Sequence, residues 1–116
     1  MKIASMTISW NDFEKIDIRV GTIIEVRDFP KAKKPAYQMK IDFGSEIGIR
    51  HSSAQITILY SRDELLNKQV IGVVNFPPKK IADFTSECLV LGVYDANSDV
   101  ILLQPDRAVE NGHKIG

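Results

Sequence analysis

The stretch from Ile16 to Val26 limits what this chain can fold into more than any other segment. Its even positions read Ile16, Ile18, Val20, Thr22, Ile24 and Val26, while the odd positions Asp17, Arg19, Gly21 and Glu25 are polar or small, with Ile23 the exception. Side chains of an extended strand point to opposite faces in turn, so this alternation marks a strand buried on one face. At about 3.3 Å per residue such a strand runs on the order of 35 Å, too far to stay straight in a chain of 116 residues. Gly21, near its middle, is the residue expected to supply a kink or bulge. A long, bent first strand is the element around which a small closed barrel is wound.

The rest of the chain keeps this pattern. Tyr37, Met39, Ile41 and Phe43 fall on one face of a second strand, with Gln38, Lys40 and Asp42 on the other. Gly44-Ser45-Glu46 reads as a hairpin turn into Ile47 and Ile49, and Ser52-Ser53-Ala54-Gln55 interrupts the alternation. Ser61, followed three residues later by Glu64, fits a capping box that opens a short helix with Leu65 and Leu66. Val70 to Val74 is apolar on both parities, as in a strand covered on both sides, and Asn75-Phe76-Pro77-Pro78 ends it. Cys88 to Val93 is a further strand, Asp95 to Asp99 a turn, and Val100 to Leu103 the last strand. The expected architecture is all-β: a five-stranded barrel with short helices, its core spanning about residues 16–103 of a single domain, 1–116, with N- and C-terminal extensions.

Charge narrows the function. The net charge is +0 and the isoelectric point near 6.7, which argues against a protein that coats nucleic acid indiscriminately. Any surface for a polyanion must therefore be local. Lys31, Lys33 and Lys34 form one cluster and Lys79 and Lys80 another, in the connections before the second and fifth strands. In the five-stranded oligonucleotide-binding (OB) barrel, those connections flank the ligand face. Each cluster has aromatic neighbours, Phe29 and Tyr37 beside the first, Phe76 and Phe84 beside the second. Cations beside aromatic platforms suit looped or single-stranded RNA, through phosphate contacts and base stacking. Arg50, Asn75 and Ser86, with Gln55, are candidates to join such a site. The plainer alternatives are solvated loop lysines and turn-forming polar residues. The same four aromatics also offer an apolar surface to an unfolded peptide. Neutralising a phosphate with each of the five lysines would lower log affinity with log salt at a slope of about −3.5 to −4.5.

Catalysis finds no foothold. His51 and His113 sit at no metal-ligand spacing from each other or from Cys88, so neither a metal site nor any cofactor is expected. Nucleophile elbows, phosphate loops and dinucleotide fingerprints are absent. Asp63-Glu64 reads as an acidic helix start. The lone Cys88, followed by Leu89-Val90-Leu91, reads as an inert buried strand thiol. The opening Met1 to Thr7 lacks the apolar core of a signal peptide, and no apolar run reaches the roughly 20 residues of a membrane helix. The expectation is a non-enzymatic, cytoplasmic protein without membrane insertion.

Phe13-Glu14-Lys15-Ile16-Asp17-Ile18-Arg19-Val20-Gly21 resembles the opening of the tRNA-binding domain found in structure-specific tRNA-binding proteins and appended to some aminoacyl-tRNA synthetases. Phe29-Pro30, Lys79-Lys80-Ile81, Ser86-Glu87 and Leu89-Val90-Leu91-Gly92 continue the likeness in order. Lys34-Pro35-Ala36-Tyr37 and Ser52 to Thr57 depart from the usual pattern and, with Asn75 to Lys79, resemble the CsaA family of export-associated chaperones. That resemblance implies a homodimeric OB barrel that binds unfolded or preprotein peptides, acts with the secretion machinery and binds tRNA. The alternative it leaves is a tRNA-binding protein without chaperone activity. It also implies a dimer contact through terminal segments, with Ile8, Trp10 and Phe13 as candidates; a second reading of Trp10 is a lid on the barrel end.

Overall fold

In the computed structural model, which describes residues 6–116, the alternating segment forms β1 (Ile18–Asp28). It is preceded by the short helix α1 (Trp10–Glu14), whose start is closed by a reciprocal Ser9–Asp12 capping box. There follow β2 (Tyr37–Asp42), the one-turn helix α2 (Gly44–Ile47), β3 (Ile49–Ala54), the short helix α3 (Arg62–Leu65) and β4 (Gln69–Val73). A hairpin of β5 (Lys79–Ile81) and β6 (Phe84–Ser86) leads to β7 (Leu89–Val90), and β8 (Gly92–Tyr94) pairs with β9 (Val100–Leu102). The main sheet has the order β3-β2-β1-β4-β7 with antiparallel pairings, and it curls until its ends nearly meet. There the Glu87 N–H donates to the His51 carbonyl at 2.7 Å. The fold is an all-β, nearly closed five-stranded barrel with a few short helices. Among the described residues no helix is long and apolar enough to cross a membrane.

β1 does bend, but not where the sequence pointed. Its pairing with β2 shifts register between Ile23 and Glu25, so the bulge falls at Ile24, which is 40% exposed. Before the bulge the inward residues are the odd ones, Gly21 and Ile23; after it Val26 packs against the core. Buried Val20 lies instead beside the C-terminal tail, its N–H donating to the His113 carbonyl and its carbonyl accepting from Gly112 N–H. Gly21 serves packing rather than bending. A Cβ there would stand 2.7 Å from the Ile41 and Phe43 side chains, closer than carbon atoms approach in a dense core.

Tyr37, Met39, Ile41 and Phe43 all turn inward as expected, and with Ile23, Val70 and Leu65 they fill the barrel. Three local expectations differ. Gly44-Ser45-Glu46 is helix α2 rather than a hairpin turn, its ends set by Gly44 and Gly48 at φ of 88° and 83°. Ser52 and Ser53 continue β3, because Met39 and Gln38 pair with them across the sheet. The Cys88–Val93 run is divided into β7 and β8 at Leu91, whose N–H returns to the Ile71 carbonyl at 2.8 Å. The C-terminal tail lies along β1 at the edge that β2 leaves uncovered, with an antiparallel bridge between Arg19 and Lys114.

Candidate functional site

The β1–β2 connection and the β5–β6 hairpin meet at one end of the barrel. Lys31 Nζ donates to Asp83 Oδ2 at 2.8 Å, joining the loop to the hairpin turn. Each partner favours the charged form of the other: the Asp83 carboxylate raises the Lys31 ammonium above its ordinary range, and Lys31 holds Asp83 below its own. Beside this clasp is an open groove of about 460 Å³, lined by Lys33, Lys34, Gln55 and Ile81 among others. Lys79 and Lys80 are not loop residues; they form strand β5, with Lys79 opposite Ser86 and Lys80 opposite Thr85. Lys33, Lys34, Lys79 and Lys80 are exposed, and no carboxylate lies within ion-pair distance of them among the described residues.

The aromatic residues divide into two kinds. Phe29 and Tyr37 are buried, the Tyr37 hydroxyl donating to the Tyr60 carbonyl at 2.8 Å, so neither ring presents a face to a ligand. Phe84 is half-buried. Phe29 packs against it at 5.5 Å between ring centroids, and His51 meets it edge-on at 6.0 Å. His51 is held in turn by Glu87, whose Oε1 lies 2.7 Å from Nδ1 and accepts from the His51 backbone N–H at 3.0 Å. Burial pushes the Glu87 carboxyl upward, but hydrogen bonds from the His51 ring and backbone outweigh this and leave it below its ordinary value. In front of Phe84 and His51 lies a groove of about 230 Å³ over β1–β3, lined also by Glu25, Arg27, Gln38 and Lys40.

Of this second group, sequence reasoning singled out Phe84 and missed the rest. Gln38 and Lys40 were legible only as the outward side of β2. Their neighbours follow from register, which places Arg27 opposite Gln38, and Glu25 and His51 on either side of Lys40. His51 and Glu87 meet only because the barrel closes.

Several of the polar candidates have structural work. Asn75 uses both halves of its amide, Nδ2 donating to the Lys15 carbonyl at 2.7 Å and Oδ1 accepting from Asp17 N–H at 2.9 Å. It braces the end of β4 against the entry to β1. Ser86 Oγ accepts from Ser53 N–H and donates to the Cys88 carbonyl, both at 3.4 Å. Arg50 Nη1 donates to the Val74 carbonyl at 3.3 Å. Arg19, largely buried, pairs with Asp17 just ahead of β1 (2.6 Å) and with Glu46 of α2 (3.2 Å).

Phe76 is exposed. With Pro77, Lys79, Ser86, Cys88 and Leu89 it lines a mainly apolar groove of about 290 Å³. Burial pushes the Cys88 thiol up to about 12, so it lines that groove as an unreactive apolar group. At the N-terminus, Ile8 and Trp10 are 67% and 66% exposed, and Trp10 touches Phe13 at 5.4 Å between rings. A ring so exposed does not act as a lid on the barrel.

Comparison with known proteins agrees with this architecture. Residues 18–114 match the family model of a tRNA binding domain. Among solved structures, the CsaA chaperone protein from Picrophilus torridus is 59% identical with a TM-score of 0.89, covering 95% of this chain and 100% of that one. The chaperone CsaA from Bacillus anthracis is 47% identical with a TM-score of 0.87, covering 95% and 99%. The methionine–tRNA ligase of Pyrococcus horikoshii is 43% identical over 108 residues, 93% of this chain. The chain spans only 14% of that ligase's length, and the same share of the ligase from Thermococcus onnurineus. The chain belongs to the tRNA-binding-domain family and, within it, to the branch of the CsaA chaperones.

Proposed function

We propose that this chain is a non-catalytic, cytoplasmic binding protein that takes tRNA on its lysine-bearing end and unfolded or preprotein segments in its apolar groove. The observation that carries the RNA reading is the convergence of the two lysine clusters. They are distant in sequence, yet the Lys31–Asp83 clasp ties them together while Lys33, Lys34, Lys79 and Lys80 make no ion pair among the described residues. The family match and the naming of full-length relatives as chaperones support the combined function. The peptide reading rests on the groove of Phe76, Pro77 and Leu89, whose apolar lining has a single cation, Lys79, at its rim. Phe84 serves either ligand, with Phe29 packed behind it, while Tyr37 belongs to the barrel core. A homodimer would use the exposed Ile8 and Trp10, with Phe13 behind them.

Titration of the protein with bulk tRNA and with an unfolded preprotein peptide, each at low and moderate salt, tests both readings. With Lys31 engaged by Asp83, four lysines remain, so log affinity for tRNA is expected to fall with log salt at about −2.8 to −3.6. Replacing Lys33, Lys34, Lys79 and Lys80 with Gln should flatten that slope and leave peptide binding in place. Tight tRNA binding with no peptide binding would leave a tRNA-binding protein without chaperone activity. In sedimentation, Trp10→Asp should shift the protein toward monomer.

A further inference from the structure

The groove over β1–β3 has a different chemistry from the lysine-lined one, although both meet at the β5–β6 hairpin. Its wall is a fixed aromatic face. Phe84 is backed by Phe29 and held at its edge by His51, and His51 is pinned through its ring and backbone to Glu87. Its two cations are both engaged by one carboxylate, Glu25 lying 3.3 Å from Arg27 and 3.5 Å from Lys40, which leaves a single positive charge in excess. Such a floor does not call for an isolated phosphate. It suits a flat, uncharged, polar ring.

Two groups remain to meet the edge of that ring. Gln38 makes no side-chain hydrogen bond among the described residues and carries both donor and acceptor. In the neutral ring of His51, the bond to Glu87 keeps the proton on Nδ1 and leaves Nε2 as an acceptor. We infer that this groove holds one unstacked nucleobase of a bound RNA, its face against Phe84 and its edge met by Gln38 and His51. The adjoining lysines then carry the flanking phosphates. This site rests on the RNA-binding reading above and deepens it: the lysines set affinity, and the groove makes binding depend on the base.

The experiment compares a single-stranded ribonucleotide 12-mer with an abasic 12-mer of the same backbone, by fluorescence anisotropy at one fixed salt concentration. Wild-type protein is expected to bind the base-bearing strand more tightly by roughly 5- to 150-fold, the range for one stacked base. Phe84→Leu should collapse that ratio, the base-bearing strand losing far more affinity than the abasic one, and Phe84→Tyr should retain it. Gln38→Ala tests the site without touching the Phe29–Phe84 packing. It should change the ranking of the four homopolymers and leave the abasic strand unaffected. Equal binding of the two strands by wild type, or an equal loss for both in Phe84→Leu, overturns the nucleobase site while RNA binding stands. Failure of both strands to bind sinks the RNA reading and the site with it.

Discussion

The end of the barrel strapped by the C-terminal tail and the end carrying the β5–β6 hairpin are built on opposite plans. At the tail end, polar groups meet one another. Arg19 binds Asp17, Glu46 and the Gly112 carbonyl, Thr22 donates to Asn111 Oδ1, and Gln69 exchanges hydrogen bonds with the Val109 backbone. At the hairpin end, one exposed ion pair, Lys31–Asp83, spans the gap, while four lysines and two grooves face outward. Buried polar groups stabilise a fold when they are mutually satisfied, and their removal is costly. Exposed charges contribute little to stability and remain available to a ligand. The contrast predicts that damage at the tail end shows first in folding, and damage at the hairpin end first in binding.

The largest effect is expected at Gly44. Its φ is 88°, and a Cβ there would meet the Asn111 carbonyl oxygen at 2.6 Å. Left-handed strain and a backbone clash together should make Gly44→Ala cost about 2–4 kcal/mol. Urea denaturation measures this, and RNA affinity per folded molecule should not change. Arg19→Met comes next. Its side chain is largely buried, and its loss leaves Asp17 and the Gly112 carbonyl without a donor, a cost of about 2 kcal/mol in the same assay. If either variant lowers RNA affinity more than stability, the division between the two ends is wrong.

The division also explains which parts were legible in the sequence. Tyr37, Met39, Ile41 and Phe43 reported their face directly, because period-two burial is a local property, and the Ser61–Glu64 capping box reported its helix for the same reason. The bulge at Ile24 was not legible. Gly21 looked like the bend, but its missing side chain answers to Phe43 and Ile41 from another strand. The lysine clusters announced themselves by composition, and their convergence followed from the barrel. Which of the four aromatics form a platform was not legible, since the burial of Phe29 and Tyr37 and the pairing of His51 with Glu87 depend on closure between distant segments. The bracing role of Asn75 was hidden in the same way: both partners of its amide, the Lys15 carbonyl and the Asp17 N–H, lie in the segment that enters β1, far away in sequence.

The His51–Glu87 contact closes the sheet between β3 and the segment after β6, and pH can probe it. Glu87 titrates below its ordinary value of 4.5 in the fold. A lowered carboxyl contributes stability that is present above its unfolded value and lost as pH falls through its folded one. Wild-type protein should therefore lose more stability than Glu87→Gln on acidification below about pH 4.5. The contact is partly exposed, so the difference should be at most about 1 kcal/mol. Parallel denaturation curves for the two proteins across that window would show that the ring is held by packing against Phe84 alone.

The smallest effect is the one that separates stability from function most directly. Ala82, in the turn of the β5–β6 hairpin, has a φ of 52°, a region that costs an L-residue about 1–2 kcal/mol. Glycine removes that cost but adds freedom to the unfolded chain, so Ala82→Gly should stabilise by about 0.5 kcal/mol net. At the tail end such a gain would leave function untouched. Here the turn stands beside Asp83, which clasps Lys31, and Phe84, whose ring walls the groove. A looser turn holds both less firmly. The expected outcome is a protein slightly harder to unfold in urea and no better at binding RNA, with a smaller ratio between base-bearing and abasic strands. A rise in both stability and that ratio would mean that the hairpin, like the tail, is built first for the fold.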